Sequence, residues 1–115
     1  QNEKGVGPRI VTQVMNVIFL GLTPFFFPMP VTRQASYWML NTPLPLSAAY
    51  IDPEGIIQEI HDLQPYNTNS VLSQSDNIRF VLETPQGWFE RHKITPGAAV
   101  RTEKGSLMET FFPLE

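Results

Sequence analysis

Short apolar runs separated by proline, glycine and polar clusters form the pattern of this chain and predict short strands rather than long helices. The longest run, Val11 to Leu20, is rich in Val, Ile and Phe and lacks a helical period, so it predicts one strand buried on both faces. Further strands are predicted at Ala35 to Met39, Ser47 to Ile51, Ile56 to His61, Ile78 to Glu83 and Ala99 to Thr102, with a short strand or aromatic plug at Gly21 to Pro30 and a final strand or tail at Leu107 to Phe112.

The turn signals divide these runs. Asp52-Pro53-Glu54-Gly55 places Asp, Pro and Gly at the positions that a type I turn favours, and it predicts a hairpin. The polar stretch from Leu63 to Asp76 predicts a long loop, which in a small domain is often functional or mobile.

One short helix is predicted after the strand that ends at Glu83. Thr84 would be its N-cap and Pro85 its first residue, and the helix would cover about Gln86 to His92. Eleven prolines in 115 residues, about twice the usual ~5%, disfavour longer helices.

Composition limits the class of protein. Two glycines, a proline and three charged residues predict a flexible lead-in at residues 1–9, and the length predicts a single β-rich domain at residues 10–112. Eight basic and eleven acidic residues give a net charge of −3, which disfavours a nucleic-acid partner.

The chain has no cysteine, so thiol chemistry is excluded. Ile10 to Thr32 lacks charge, but its three prolines favour a buried strand over a transmembrane segment.

Two dense segments resemble a known family. They are Ser36-Tyr37-Trp38-Met39 with Asn41-Thr42, and Arg79-Phe80-Val81-Leu82-Glu83 running into Gly87-Trp88. Between and beyond them, further matches lie at Pro45-Leu46, Tyr50-Ile51-Asp52, Gly55, Ile60, Ile94 and Gly97. In this order and spacing, they resemble domain-of-unknown-function family 192 over roughly Phe25 to Val100.

The resemblance implies an all-β fold, a jelly-roll-like β-sandwich or closed mixed sheet with one short helix. It also implies an exported, periplasmic or envelope-associated protein, and it implies no established activity. One stretch and two single positions depart from the family pattern. Leu20-Gly21-Leu22-Thr23 replaces an Arg-Gly-Leu-Met stretch, and Leu40 and Ala98 stand where the family commonly has Lys and Asp.

Four residues are candidates for ligand binding. Trp38 beside Asn41 could stack on a sugar or a planar ligand, although a core Trp and a turn-stabilising Asn explain the same residues. Arg79 and Glu83, four residues apart on one strand, would share a face. They form either a carboxylate oriented by a cation or a surface ion pair of little energetic weight.

No catalytic or metal-ligating set is predicted. His61 has Glu59 on its own strand face, but a metal site needs more ligands, and no cofactor motif is present. The predicted function is a non-enzymatic binding or accessory domain of the cell envelope with a small-molecule or carbohydrate ligand or a protein partner. The alternatives are a small enzyme that acts on a carbohydrate or envelope component, with Glu83, Asp52 or His61 as acid–base groups, and a structural interaction module. The sequence leaves the oligomeric state open.

Overall fold

The computed structural model describes residues 10–14, 17–20, 26–34, 36–37, 44–66 and 70–113. Over these ranges the chain forms three β-sheets and two short helices. The strands are β1 (Ile10–Val14), β2 (Val17–Leu20), β3 (Phe26–Arg33), β4 (Ser36–Tyr37), β5 (Leu46–Ile51), β6 (Ile57–Leu63), β7 (Val71–Leu72), β8 (Ile78–Pro85), β9 (Ala99–Thr102) and β10 (Gly105–Ser106), and the helices are α1 (Trp88–Arg91) and α2 (Leu107–Phe111).

The central sheet is antiparallel, in the order β3-β8-β5-β6. Its inner strand β5 is buried at all six positions. Since alternate residues of a strand point to opposite faces, β5 contributes to two separate hydrophobic clusters. The helix-covered face carries Ala49, Ile51, Phe80 and Leu82, which pack with Phe89 and Leu107 from the helices. The loop-covered face carries Ala48, Tyr50 and Val81, which pack with Met29 and Leu63.

The predicted hairpin joins β5 to β6. Asp52 accepts hydrogen bonds through Oδ1 from the backbone N–H groups of Glu54 and Ile56, both at 2.9 Å. Gly55 has a φ of 84°, and a Cβ there would lie 2.8 Å from the carbonyl oxygen of Val100. Both the backbone conformation and the close approach therefore require glycine, and the turn prediction is confirmed.

A peripheral sheet has the order β1-β2-β9-β10 and contains a parallel pair, β2 with β9. The prediction of a single strand from Val11 to Leu20 was wrong, because β1 and β2 pair antiparallel with Val14 opposite Val17. Only two residues separate the strands, so the apolar run appears continuous in the sequence and the connection between the strands gives no signal of its own. The strand predicted at Ala99 to Thr102 is β9, with the same bounds.

The first helix begins later than predicted. Thr84 and Pro85 are the last residues of β8, and Thr84 is fully buried. A proline at the end of a strand gives the same local signal as a proline at the start of a helix, and here the strand pairing prevails. The helix is preceded instead by Gly87, in the left-handed conformation with a φ of 86°.

The second helix contradicts the prediction of one helix and of a final strand or tail at Leu107 to Phe112. Ser106 and Glu109 form a capping box: Ser106 Oγ accepts from the Glu109 N–H at 3.0 Å, and Glu109 Oε1 accepts from the Ser106 N–H at 2.9 Å. Ser-x-x-Glu before an apolar residue is a sequence signal for a helix start, so this helix was predictable.

The fold is mostly β, as predicted, with open sheets and two short helices. The segment predicted as a long loop from Leu63 to Asp76 contains the two-residue strand β7, which pairs with β4. Among the described residues, no helix has the length and apolar character needed to cross a membrane.

Candidate functional site

The predicted ligand-binding residues lie in different environments. Trp38 and Asn41 fall outside the described residues. Arg79 donates from Nε to the carbonyl oxygen of Met29, and its guanidinium lies 4.0 Å from the centre of the Phe112 ring. These contacts join Arg79 to β3 and to the end of α2, where it contributes to packing.

Glu83 is half-buried on the loop-covered face, opposite Ala48 of β5. Burial raises the pKa of its carboxyl group above the ordinary value of 4.5. Within the described ranges, no ion pair joins Glu83 to Arg79, although both lie on β8. The pairing of β3 with β8 is irregular opposite Arg79. Arg79 and Glu83 therefore have different neighbours. Their roles in ligand binding stay predictions.

A second carboxylate on the loop-covered face, Glu59 of β6, binds three donors. His61 Nε2 lies 2.7 Å from Glu59 Oε1, and the backbone N–H groups of Gln74 and Ser75 donate to the same carboxylate at 2.9 and 2.7 Å. Burial tends to raise the pKa of Glu59, but these hydrogen bonds lower it on balance. The same-face prediction for Glu59 and His61 is therefore confirmed, and Glu59 anchors the loop after β7.

Tyr50 strengthens this anchor. Its ring centre lies 5.1 Å from that of His61, and its hydroxyl donates to the carbonyl oxygen of Val71 at 2.6 Å. The side chain is fully buried. The polar groups between β6 and the segment 71–75 thus bond mainly to one another, which is the arrangement of a structural contact.

A solvent-open cleft of about 360 Å³ lies on the opposite, helix-covered face, between the ends of β5 and β6 and helix α1. This volume is near the lower end of the range for small-molecule sites. Three separate segments line the cleft: Pro45 and Ser47 from the β5 region, Ile60 and Asp62 from β6, and Gln86, Gly87, Phe89 and Glu90 from α1 and the turn before it.

Ser47 connects these three segments at the base of the cleft. It lies opposite Thr84 on β8 and Asp62 on β6, and only 2% of its surface is exposed. Its hydroxyl donates to Asp62 Oδ1 at 3.0 Å and lies 3.4 Å from the Gly87 N–H, which points toward it as a donor. The Ser47 bond fixes one oxygen of Asp62 and holds that carboxylate in position.

Helix α1 forms one wall of the cleft because of the turn at Gly87. The turn is joined to the residue before β5 by a hydrogen bond from the Gln86 N–H to the Pro45 carbonyl at 3.2 Å. Gly87 then reverses the chain, so that Phe89 is buried in the floor while Glu90 is exposed beside the opening. Phe89 and Ile60 give the cleft an apolar floor.

The cleft has an acidic lining. Asp62 and Glu90 supply carboxylates, and no basic residue is among its described lining residues. Arg91 lies at the rim, with Nη1 3.4 Å from the Gln86 carbonyl oxygen. In the described part of the chain, no group of three or more potential ligands could hold a metal ion.

Sequence reasoning missed this site. Its polar residues come from segments that are about 15 and 25 residues apart and share no motif spacing. The one local signal is Gln86-Gly87, a polar residue and a turn-forming glycine directly before a helix. Only the antiparallel order of β8, β5 and β6 brings the segments together.

Two solved structures are similar to this chain. One, from Sinorhizobium meliloti 1021, is described only provisionally as a transcription regulator; it is 32% identical, with a TM-score of 0.61 over 64% of this chain and 57% of that protein. The other, a protein of unknown function from Novosphingobium aromaticivorans DSM 12444, is 25% identical, with a TM-score of 0.60 over 64% of this chain and 53% of that protein.

The chain thus spans somewhat more than half the length of each of these two proteins. No curated protein matches it. The family resemblance carried by the Trp38 and Trp88 segments is confirmed over residues 23–102. Residues 23–102 match the profile of domain-of-unknown-function family 192 (DUF192), described as an uncharacterized ACR, and the chain belongs to that family.

Proposed function

We propose that this chain is a binding domain for a small hydroxylated ligand, and that the ligand occupies the cleft between α1 and the ends of β5 and β6. One observation carries the proposal: polar groups from three segments converge over an apolar floor in a cleft of about 360 Å³. Such a volume holds about a dozen water molecules, so it fits a ligand of roughly monosaccharide size.

The chemistry of the lining supports a hydroxylated ligand. Asp62 accepts hydrogen bonds, the Gln86 amide both donates and accepts, and the Ile60 and Phe89 side chains can contact the C–H face of a sugar ring. The proposal keeps the predicted small-molecule or carbohydrate ligand and moves its site away from Trp38 and Glu83. The envelope location and the jelly-roll arrangement that the resemblance implies stay predictions.

The provisional description of the Sinorhizobium meliloti protein does not lead us to propose DNA binding here. The chain has a net charge of −3, and its eight basic residues are scattered along the sequence. Binding to the phosphate backbone depends on clustered basic groups.

NMR titration of the 15N-labelled domain with a panel of monosaccharides tests the proposal. A ligand in the cleft should shift the amide resonances of Gly87 and Asp62 in a saturable way, while Gly105 in the peripheral sheet serves as the internal reference. The proposal fails if no sugar shifts these resonances, or if a sugar that binds shifts only residues of the loop-covered face.

A small enzyme is the second candidate, and the raised pKa of Glu83 is the observation that favours it. Of the three predicted acid–base groups, Asp52 is bonded through both oxygens to its turn and to Gln58, and His61 is bonded to Glu59. If Glu83 donates a proton in catalysis, Glu83→Gln abolishes turnover of a carbohydrate substrate with the fold intact. Unchanged turnover in that variant excludes Glu83 as the acid.

A further inference from the structure

The charges of the cleft narrow the ligand class, and we infer that the ligand is a cationic amino sugar whose ammonium group lies between Asp62 and Glu90. The inference rests on the proposed function. It follows from the negative charge of the lining, which presents two carboxylates and, among its described residues, no basic side chain.

The carboxylates retain capacity to accept hydrogen bonds. Asp62 receives the Ser47 hydroxyl on Oδ1 alone, and among the described residues no donor reaches Oδ2. Glu90 is exposed, and within the same ranges no salt bridge involves it. An ammonium group has three donors and a positive charge, so it matches two carboxylates that belong to different elements.

The remaining lining accounts for the rest of an amino sugar. Hydroxyl groups suit the Gln86 amide, and the C–H face of the ring suits Ile60 and Phe89. The Arg91 guanidinium lies against the Gln86 carbonyl oxygen, at 3.4 Å from Nη1, and Arg91 is not among the lining residues. An anionic sugar would meet repulsion from both carboxylates, and a neutral sugar would gain no charge attraction from them.

A comparison of matched sugars tests the charge. Glucosamine, glucose and glucuronate have the same ring and differ in charge, and each is titrated into the 15N-labelled domain at about pH 6.5, where the amine is protonated. We expect glucosamine to bind about fivefold more tightly than glucose at low salt, with glucuronate weakest. The preference should weaken at high salt, since screening acts on exposed charges.

Two variants test whether Glu90 causes the preference for glucosamine. Glu90→Gln should remove most of the preference for glucosamine, whereas Glu103→Gln, an exposed glutamate in the β9–β10 turn, should leave it unchanged. Equal affinity for glucose and glucosamine, with saturable shifts in the cleft, overturns this inference and leaves the proposed function standing. The absence of shifts at Gly87 and Asp62 with all three sugars overturns this inference, and their absence with the whole monosaccharide panel overturns the proposed function as well.

The source of the ammonium is tested in the same way. A lysine side chain carries the same group, so Nα-acetyl-lysine methylamide is titrated beside glucosamine. Tighter binding of the lysine derivative overturns the sugar assignment and indicates a protein partner. Tighter binding of glucosamine supports the inference.

Discussion

The two faces of the central sheet use carboxylates in opposite ways. On the loop-covered face, Glu59 accepts hydrogen bonds from His61 and from two backbone N–H groups, so its acceptor capacity serves the fold. On the helix-covered face, Asp62 of the same strand receives a single described hydrogen bond, from Ser47, and faces an open cleft. The residue type therefore does not distinguish these two carboxylates, whereas the number of protein donors that reach each of them does.

The largest expected effect is on stability, at Glu59. Glu59→Gln places an amide where three donors converge, and we expect it to lower the free energy of unfolding by about 2–3 kcal/mol. The matched change Asp62→Asn should cost less than about 1 kcal/mol, since it affects one described hydrogen bond. Urea denaturation of both variants measures the difference. Equal losses would contradict the contrast between the two faces.

Gly87→Ala should have the next largest effect, about 1–2 kcal/mol, because its φ of 86° disfavours any residue with a Cβ. A Cβ there would meet the end of the flexible Arg91 side chain at 2.8 Å. Gly97→Ala is the control: its φ is 102°, and apart from Gly97 and its two chain neighbours no described atom lies within 4 Å of its Cβ position.

Both glycine variants should lose stability in thermal denaturation. Only Gly87→Ala should also change sugar binding, because Gly87 positions α1 as the wall of the cleft. Unaltered binding by Gly87→Ala would show that the cleft does not depend on this turn.

The pH dependence of stability separates the two glutamates of the loop-covered face. The lowered pKa of Glu59 contributes stability that is present above pH 4.5 and lost as the pH falls through the folded-state value. The raised pKa of Glu83 has the opposite sign: its contribution is fully present below pH 4.5 and is lost as the pH rises through the folded-state value.

Denaturation curves from acid to neutral pH test these signs. Glu59→Gln should lose less stability than wild type as the pH falls, because it lacks the carboxylate that becomes protonated. Glu83→Gln should remove the decline on the neutral side and be neutral or slightly stabilising at pH 7, since an amide is buried more easily than a charge. If Glu83→Gln instead destabilises the protein more at neutral pH than at acid pH, the contribution of the Glu83 pKa to stability has the opposite sign.

The smallest expected effect on stability is at Glu90. Glu90→Gln changes an exposed side chain on α1, so the free energy of unfolding should stay within about 0.5 kcal/mol of wild type. Circular dichroism melting curves check this. A clear loss of stability would indicate that Glu90 supports the fold, and it would weaken its assignment to the cleft.

Much of the local structure was predictable because it depends on a few neighbouring residues. The turn at Asp52 to Gly55 and the strand at Ala99 to Thr102 follow from turn chemistry and apolar runs, and both were predicted correctly. The helix at Leu107–Phe111 has a capping-box signal in Ser106 and Glu109 that the apolar pattern outweighed. The start of α1 was misjudged, since Pro85 is compatible with a strand end and a helix start alike.

The sequence by itself predicted that Glu59 and His61 share a strand face, because they are two positions apart and strand side chains alternate. Only the structure extends β6 to Leu63 and so places Asp62 on the opposite face from Glu59. The sequence also determined the family, through residues that lie close together along the chain. Only the tertiary structure decided which side receives the loop and which the cleft. That choice depends on pairing β5 with both β6 and β8, and on the arrangement of α1 after Gly87. These contacts join residues up to 40 positions apart, as between Ser47 and Gly87, so no local pattern encodes them.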